Sequence, residues 1–178
     1  MTGAELRDAP GGSRVVLMCG IAGSGKTTYA QWLERDGYVR LSIDEEVWRR
    51  FGRYGLDYQP AAYQAHAQEA EDHLRRRLLT LIAAGRDVVV DFAFWRRSDR
   101  DRYKRLIEAA GGTWTLIYLE AEPDELRRRL DLRTRRYDAN AAFPITPELL
   151  DTYLAAFEAP THEGEHVITI GTTAAPAP

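Results

Sequence analysis

The chain has 178 residues, an apolar fraction of 44% and an aromatic fraction of 10%, which suits one globular domain with a sheet covered on both faces. A net charge of −3 and a pI near 5.8 argue against a protein whose main task is gripping a nucleic-acid backbone. The single cysteine, Cys19, excludes an internal disulfide and has no metal-ligand spacing, so it reads as a small buried residue. No apolar run is long enough to span a membrane and the N-terminus lacks a signal-peptide core, so a reducing cytoplasm is expected.

In chain order, residues 1–13 are polar and contain Pro and Gly, and are expected to be loose. A buried strand follows at Arg14–Cys19, then a Gly-rich turn, then a helix from Thr27 to about Glu34 with Tyr29, Ala30 and Leu33 at helical spacing. A second strand is expected at Val39–Ile43 and a short helix from Asp44 to Phe51. Residues 60–84 read as a long amphipathic helix, with Tyr63, Ala67, Ala70, Leu74, Leu78 and Leu81 on one face and Gly85 as its stop. A third strand falls at Asp87–Phe92. Ser98 is expected to cap a helix that runs to about Ala110 and ends at Gly111-Gly112. A fourth strand at Thr113–Leu119 precedes a helix opened by Pro123 and running to about Leu132. A last helix starts at Thr146-Pro147 and runs to about Ala159, followed by a fifth strand at His166–Ile170 and an Ala/Pro/Thr-rich tail at 172–178. Strands alternating with helices predict an α/β fold with a five-stranded parallel sheet and helices on both faces. In such sheets ligands bind at the carboxyl ends of the strands. Residues 14–171 would form one domain, with a lid over about 131–146.

The turn after the first strand reads Gly-Ile-Ala-Gly-Ser-Gly-Lys-Thr-Thr over 20–28, a complete G-x-x-x-x-G-K-[ST] phosphate-binding loop. Its strand and helix flanks are the context that gives the motif its meaning. Consecutive backbone N–H groups from Gly20, Ala22, Gly23, Ser24, Gly25, Lys26, Thr27 and Thr28 would cradle a nucleotide's phosphates. Lys26 would reach the β- and γ-phosphates, and the Thr27 hydroxyl would ligate Mg²⁺. The helix that follows directs its dipole and free N–H groups at the same anion.

Two aspartates end strands beside this loop. Val88-Val89-Val90-Asp91 matches an apolar strand closed by a carboxylate that holds Mg²⁺, often through water, and Asp91 is assigned there; a simple turn cap is the alternative. Leu41-Ser42-Ile43-Asp44 places Asp44 toward an acceptor, as the base that orients a hydroxyl and takes its proton; an N-cap is the alternative reading. Ser42 is a further candidate for the metal-water network. The run 124–137 carries Arg129, Arg133, Arg135 and Arg136, of which Arg129 and Arg133 are i, i+4 neighbours that could neutralise a transferring phosphoryl group. Solvated arginines in an Arg-rich composition are the competing explanation. Trp48, Phe51, Tyr54 and Tyr58 after the second strand, and Phe94 and Trp95 after the third, could wall an acceptor pocket or simply pack the core. Arg49, Arg50 and Arg53 could bind an acidic substrate or point outward. The four histidines show no ligand spacing.

With the loop Gly20–Thr27, Ser42-x-Asp44, Val88–Asp91 and Leu126–Arg135, the chain resembles the small phosphate-loop kinases labelled AAA-family ATPases. These include gluconate kinase, chloramphenicol phosphotransferase, zeta toxins and polynucleotide kinase. The stretch Phe157–Thr161 leading into Val167–Ile170 is also similar. The resemblance implies a five-stranded kinase core with a lid, ATP as donor, Mg²⁺, Asp44 as base, and Arg129 or Arg133 as the lid arginine. Polynucleotide kinases carry an arginine one turn after that aspartate, where this chain has Val47. The expected activity is therefore ATP-dependent phosphoryl transfer to the hydroxyl of a small molecule such as a nucleoside, antibiotic or sugar-like metabolite, with Asp44, Trp48, Tyr54, Phe94 and Trp95 meeting it. Alternatives are a polynucleotide 5′-hydroxyl kinase and an ATPase switch acting on a protein partner.

Overall fold

The computed structural model describes residues 12–135 and 138–171. The calls on 1–11, on Arg136 and on the 172–178 tail lie outside the described residues. Five strands, β1 (Arg14–Cys19), β2 (Val39–Ser42), β3 (Val88–Asp91), β4 (Thr113–Ala121) and β5 (Glu165–Ile170), form one sheet in the order β2-β3-β1-β4-β5. Every pairing is parallel. Between them run α1 (Lys26–Arg35), α2 (Ile43–Phe51), α3 (Tyr63–Ala83), α4 (Arg97–Ala109), α5 (Pro123–Arg133) and α6 (Pro147–Ala156).

Period-two alternation sends β1 side chains to opposite faces of the sheet. Val15, Leu17 and Cys19 pack with Leu74, Leu78 and Ile82 of α3 and with Tyr103 and Ile107 of α4. Val16 and Met18 pack with Tyr29, Ala30 and Leu33 of α1. A smaller cluster, Ile21, Leu126, Leu130 and Leu150, ties α5 and α6 to the phosphate-loop segment. With both faces covered, the central strands β1 and β3 read as near-continuous apolar runs. Cys19 is fully buried and burial pushes its thiol up to about 11, so it is packing rather than a nucleophile.

Helix starts differ from the sequence expectation where tertiary contacts intervene. α4 begins at Arg97 and Ser98 is not its cap, because the Arg97 amide donates to Glu158 Oε2 (2.7 Å) from the far side of α6. The first turn of the expected 60–84 helix is a 3₁₀ turn, Pro60–Ala62. Tyr63 and Ala67, expected on the core face of α3, line a cleft instead. α6 stops at Ala156 as Phe157 turns to extended backbone. Ser13, expected to be loose, is buried, and its hydroxyl donates to the Arg86 carbonyl.

β1 lies between β3 and β4, so the chain leaves it on one side and later crosses to the other. That switch point opens a crevice at the carboxyl edge of the sheet.

Candidate active site

A cleft of about 470 Å³ occupies that crevice. Its floor is the loop after β1. Gly20, Gly23 and Gly25 have φ of 143°, 88° and 103°, values that side chains rarely adopt. A Cβ on Gly20 would stand 2.6 Å from the Leu119 carbonyl, so that glycine is required for the loop to pass β4. Gly23, Gly25, Lys26, Thr27 and Thr28 line the cleft, with Ala22 beside them. Gly20 and Ser24 do not line it: Gly20 closes the strand, and Ser24 is buried beneath the loop with its hydroxyl unpartnered. The Lys26 ammonium donates to the Ile21 carbonyl (3.0 Å), folded back across its own loop. Burial lowers the Lys26 pKa, and Asp91 and Asp44 oppose that. An ammonium group over a glycine-rich turn at the N-terminus of α1 is a seat for an anion.

Asp44 stands in the first turn of α2 and faces the same cleft. It is not the helix cap. Ser42 holds that position, accepting from the Glu45 amide (3.4 Å), so Ser42 is accounted for locally and the Asp44 carboxylate is left for the cleft. Burial pushes the Asp44 carboxyl above its ordinary value; Arg133, the Tyr63 hydroxyl and Lys26 pull it back, while Asp91 adds to the rise. Tyr63 donates to Asp44 Oδ1 at 3.2 Å.

Asp91 also lines the cleft, at the end of β3 beside Ser42 in register. Sequence reasoning missed its partner. Arg40 on β2 donates to Asp91 Oδ2 twice (3.0 and 2.8 Å), with both side chains 3% exposed. Arg40 also reaches Glu45 (2.6 Å) and Asn140 (3.2 Å). An arginine inside an otherwise apolar strand, Val39-Arg40-Leu41, was the available signal. Among the described residues no group of three His, Cys, Asp or Glu side chains could hold a metal ion. Mg²⁺ beside a triphosphate does not need one, since phosphates and water supply most of its oxygens. Thr27 and Asp91, brought to one cleft, fit that donor set.

Arg129 and Arg133 both line the cleft. Glu125 grips Arg129 Nε (2.6 Å), and Arg129 Nη1 stands 3.5 Å from where a Gly25 Cβ would be, so its guanidinium overhangs the loop. Arg135 is exposed and does not line the cleft.

The aromatic expectations divide. Trp95 lines the cleft, in edge contact with Tyr153 (4.2 Å). Phe94 does not. It is 5% exposed, packs on Phe92 and Tyr103, and φ of 45° turns its side chain inward; Phe92 lines the cleft in its place. Trp48 and Tyr54 lie in a narrow adjoining space behind Asp44, where Tyr54 packs against Tyr58, Tyr63 and Phe143. The residues that reach the cleft beside Asp44, Tyr63, Phe143 and Tyr153, come from three distant segments.

A domain model described as AAA domain (AAA_33) matches residues 15–160, and the chain belongs to that family. Its five-stranded parallel sheet and Gly20–Thr27 loop give it the P-loop fold, which it shares with solved kinase structures. The chain is 32% identical over 124 residues to a UPF0200 protein of Pyrobaculum aerophilum, covering 70% of this chain and 68% of that protein. It is 29% identical over 126 residues to a shikimate kinase of Chlorobium limicola, covering 68% of this chain and 58% of that enzyme. Among solved structures, a candidate kinase from Chloroflexus aurantiacus superposes with a TM-score of 0.70 at 22% identity, over 93% of this chain and 88% of that one. No helix among the described residues is long and apolar enough to cross a membrane.

Proposed function

We propose that this protein is an ATP-dependent phosphotransferase that moves the γ-phosphoryl group of ATP to a hydroxyl of a small-molecule acceptor. The observation that carries the reading is one cleft holding both a phosphate-binding loop with Lys26 and a buried carboxylate, Asp44, that no cation among the described residues grips directly. A hydrolytic switch needs no such second carboxylate facing an acceptor. The shikimate kinase relative is also a small-molecule kinase by name.

In this reading the loop amides and Lys26 bind the β- and γ-phosphates. Mg²⁺, held through Thr27 and Asp91, supplies charge neutralisation for the triphosphate when bound. Asp44 orients the acceptor hydroxyl and receives its proton as the acceptor oxygen bonds to phosphorus. The bond from the γ-phosphorus to the bridging oxygen breaks, and ADP leaves with that electron pair. Arg129 and Arg133 stabilise charge spreading over the phosphoryl oxygens. The segment from Thr134 to Thr146 is the lid that excludes water, because hydrolysis competes with transfer.

Asp44→Asn is expected to abolish phosphoryl transfer, measured as product mass over an acceptor panel, while ATP affinity stays close to wild type. Wild-type turnover by that variant would remove Asp44 from the mechanism.

A further inference from the structure

Among the described residues, the acceptor half of the cleft is lined mainly by aromatic side chains, with Asp44 and Arg133 as its charged groups. Tyr63 and Ala67 present adjacent turns of α3 to it. Phe143 stacks on Tyr63 with ring centroids 4.4 Å apart and planes 24° from parallel. Trp95 and Tyr153 close another side, and Ile145 adds an aliphatic contact. Asp44 affects Tyr153 electrostatically as well as accepting from Tyr63, so these rings gather around the carboxylate. Ala67 is small where its neighbours are large, which leaves room beside the Tyr63–Phe143 stack.

Apart from Arg133, the described cations near this region are committed elsewhere. Arg40 is spent on Asp91, Glu45 and Asn140. Arg49 is paired with Glu46, Arg50 with Glu69 and Arg53 with Asp57, all on α2 or the surface beside it. Among the described residues the cations lining the cleft are Lys26, Arg129 and Arg133. Lys26 and Arg129 lie over the phosphate loop, and the charge on Arg133 acts on Asp44. Arg133 stands at the hydroxyl end, so an acceptor carrying a carboxylate or phosphate away from that end would, among the described residues, meet rings and aliphatic carbon and lose its hydration without a partner. A flat, uncharged ring would meet faces and edges suited to stacking.

We infer that the acceptor is a neutral alcohol bearing an aromatic or heteroaromatic ring, held between the Tyr63–Phe143 stack and the Trp95–Tyr153 pair with its hydroxyl at Asp44. This rests on the phosphotransferase reading for which half of the cleft is the acceptor's, and it separates the chain from kinases of acidic substrates.

The test is binding rather than turnover. The full chain, loaded with Mg²⁺ and a non-hydrolysable ATP analogue, is screened by saturation-transfer NMR. The library pairs neutral ring-bearing alcohols, nucleosides included, with size-matched partners carrying a carboxylate or phosphate. Saturation transfer concentrated in the neutral members, with charged partners at least about tenfold weaker, is the expected result. Phe143→Ala should then weaken the neutral hits about three- to tenfold, with the affinity for the ATP analogue unchanged. Hits drawn equally from both halves, hits drawn from the charged half, or no neutral hits would overturn the inference. So would neutral hits that Phe143→Ala leaves unaffected. Neutral hits that bind but gain no phosphate from ATP would leave the cleft's preference for neutral rings standing and sink the kinase reading, and with it the claim that the ligand is an acceptor. Phosphoryl transfer confined to charged acceptors would sink this inference and leave the kinase reading standing.

Discussion

At the scale of single residues, the Asp44–Tyr63 hydrogen bond decides when the proposed base is ready. A donor to a carboxylate favours its charged form, so this bond lowers the Asp44 pKa against the rise caused by burial. Removing it in Tyr63→Phe raises the pKa. The acid limb of kcat/KM against pH is expected to move upward by about half to one pH unit, the equivalent of one hydrogen bond of about 1 kcal/mol. A purely structural tyrosine would lower stability or rate without moving that limb. Lys26 gives a second expectation at this scale. Its ammonium is satisfied within the loop by the Ile21 carbonyl, so Lys26→Met should leave thermal stability within a few degrees of wild type while ATP affinity, measured by calorimetry, falls at least about tenfold.

At the scale of elements, the elbow after β3 places Trp95 at the cleft and Phe94 in the core. The elbow is held from behind. Arg100 of α4, fully buried, donates to the Phe94 carbonyl (2.9 Å) and the Trp95 carbonyl (3.3 Å), and pairs with Glu163 through two bonds of 2.8 and 2.6 Å. Lys104 donates to the Glu163 carbonyl (2.7 Å). The elbow and the start of α4, adjacent in sequence, thus meet the distant Glu163 on one buried arginine. Breaking one side of a buried ion pair costs about 3–5 kcal/mol, so Glu163→Ala should lower stability by that order in chemical denaturation. Arg100 hydrogen bonds, foremost, hold the Glu163 carboxyl below its ordinary value. The stability linked to Glu163 is therefore complete above the unfolded carboxyl's pKa of about 4.3 and is lost as pH falls through the depressed folded value. In Glu163→Gln that part of the acid-unfolding profile should flatten.

At the scale of the whole molecule, Arg40 joins the sheet to the segment whose Asn140, Phe143 and Ile145 line the cleft. It bonds Asp91 at the end of β3, Glu45 on α2 and Asn140 in the 3₁₀ turn Ala139–Ala141, while Asn140 donates back to Glu45 (3.1 Å). The proposed lid thus rests, through Asn140, on the arginine that holds the proposed metal-side carboxylate. Asn140→Ala removes the lid's share of that contact and leaves the Arg40–Asp91 pair in place. Its expected signature is faster proteolysis within residues 134–146 and more ATP hydrolysis per phosphoryl transfer, with the midpoint of global unfolding shifted by only a few degrees.

How much of this was legible in the sequence varied with the distance over which each feature is made. The loop Gly20–Thr28 is local, and its strand and helix flanks come from apolar periodicity a few residues either side. The parallel sheet followed from the alternation of strands and helices for the same reason. Helix starts were less secure: α4 begins where Glu158 satisfies the Arg97 amide, and that contact spans 61 residues. Which aromatic faces the cleft depends on φ of Phe94, a backbone angle that composition does not announce. Tyr63, Phe143 and Tyr153 look like ordinary helix and loop residues, and Arg40 stands out only as a charge inside an apolar strand. They acquire their places only when β2, α3, α6 and the lid converge. A sequence determines by itself what neighbouring residues can do together, such as wrapping a phosphate or alternating across a strand. Tertiary structure decided which distant side chains share one low-dielectric cleft, and so whether Asp91 stands alone or paired, whether Asp44 caps a helix or faces the cleft, and which rings surround it.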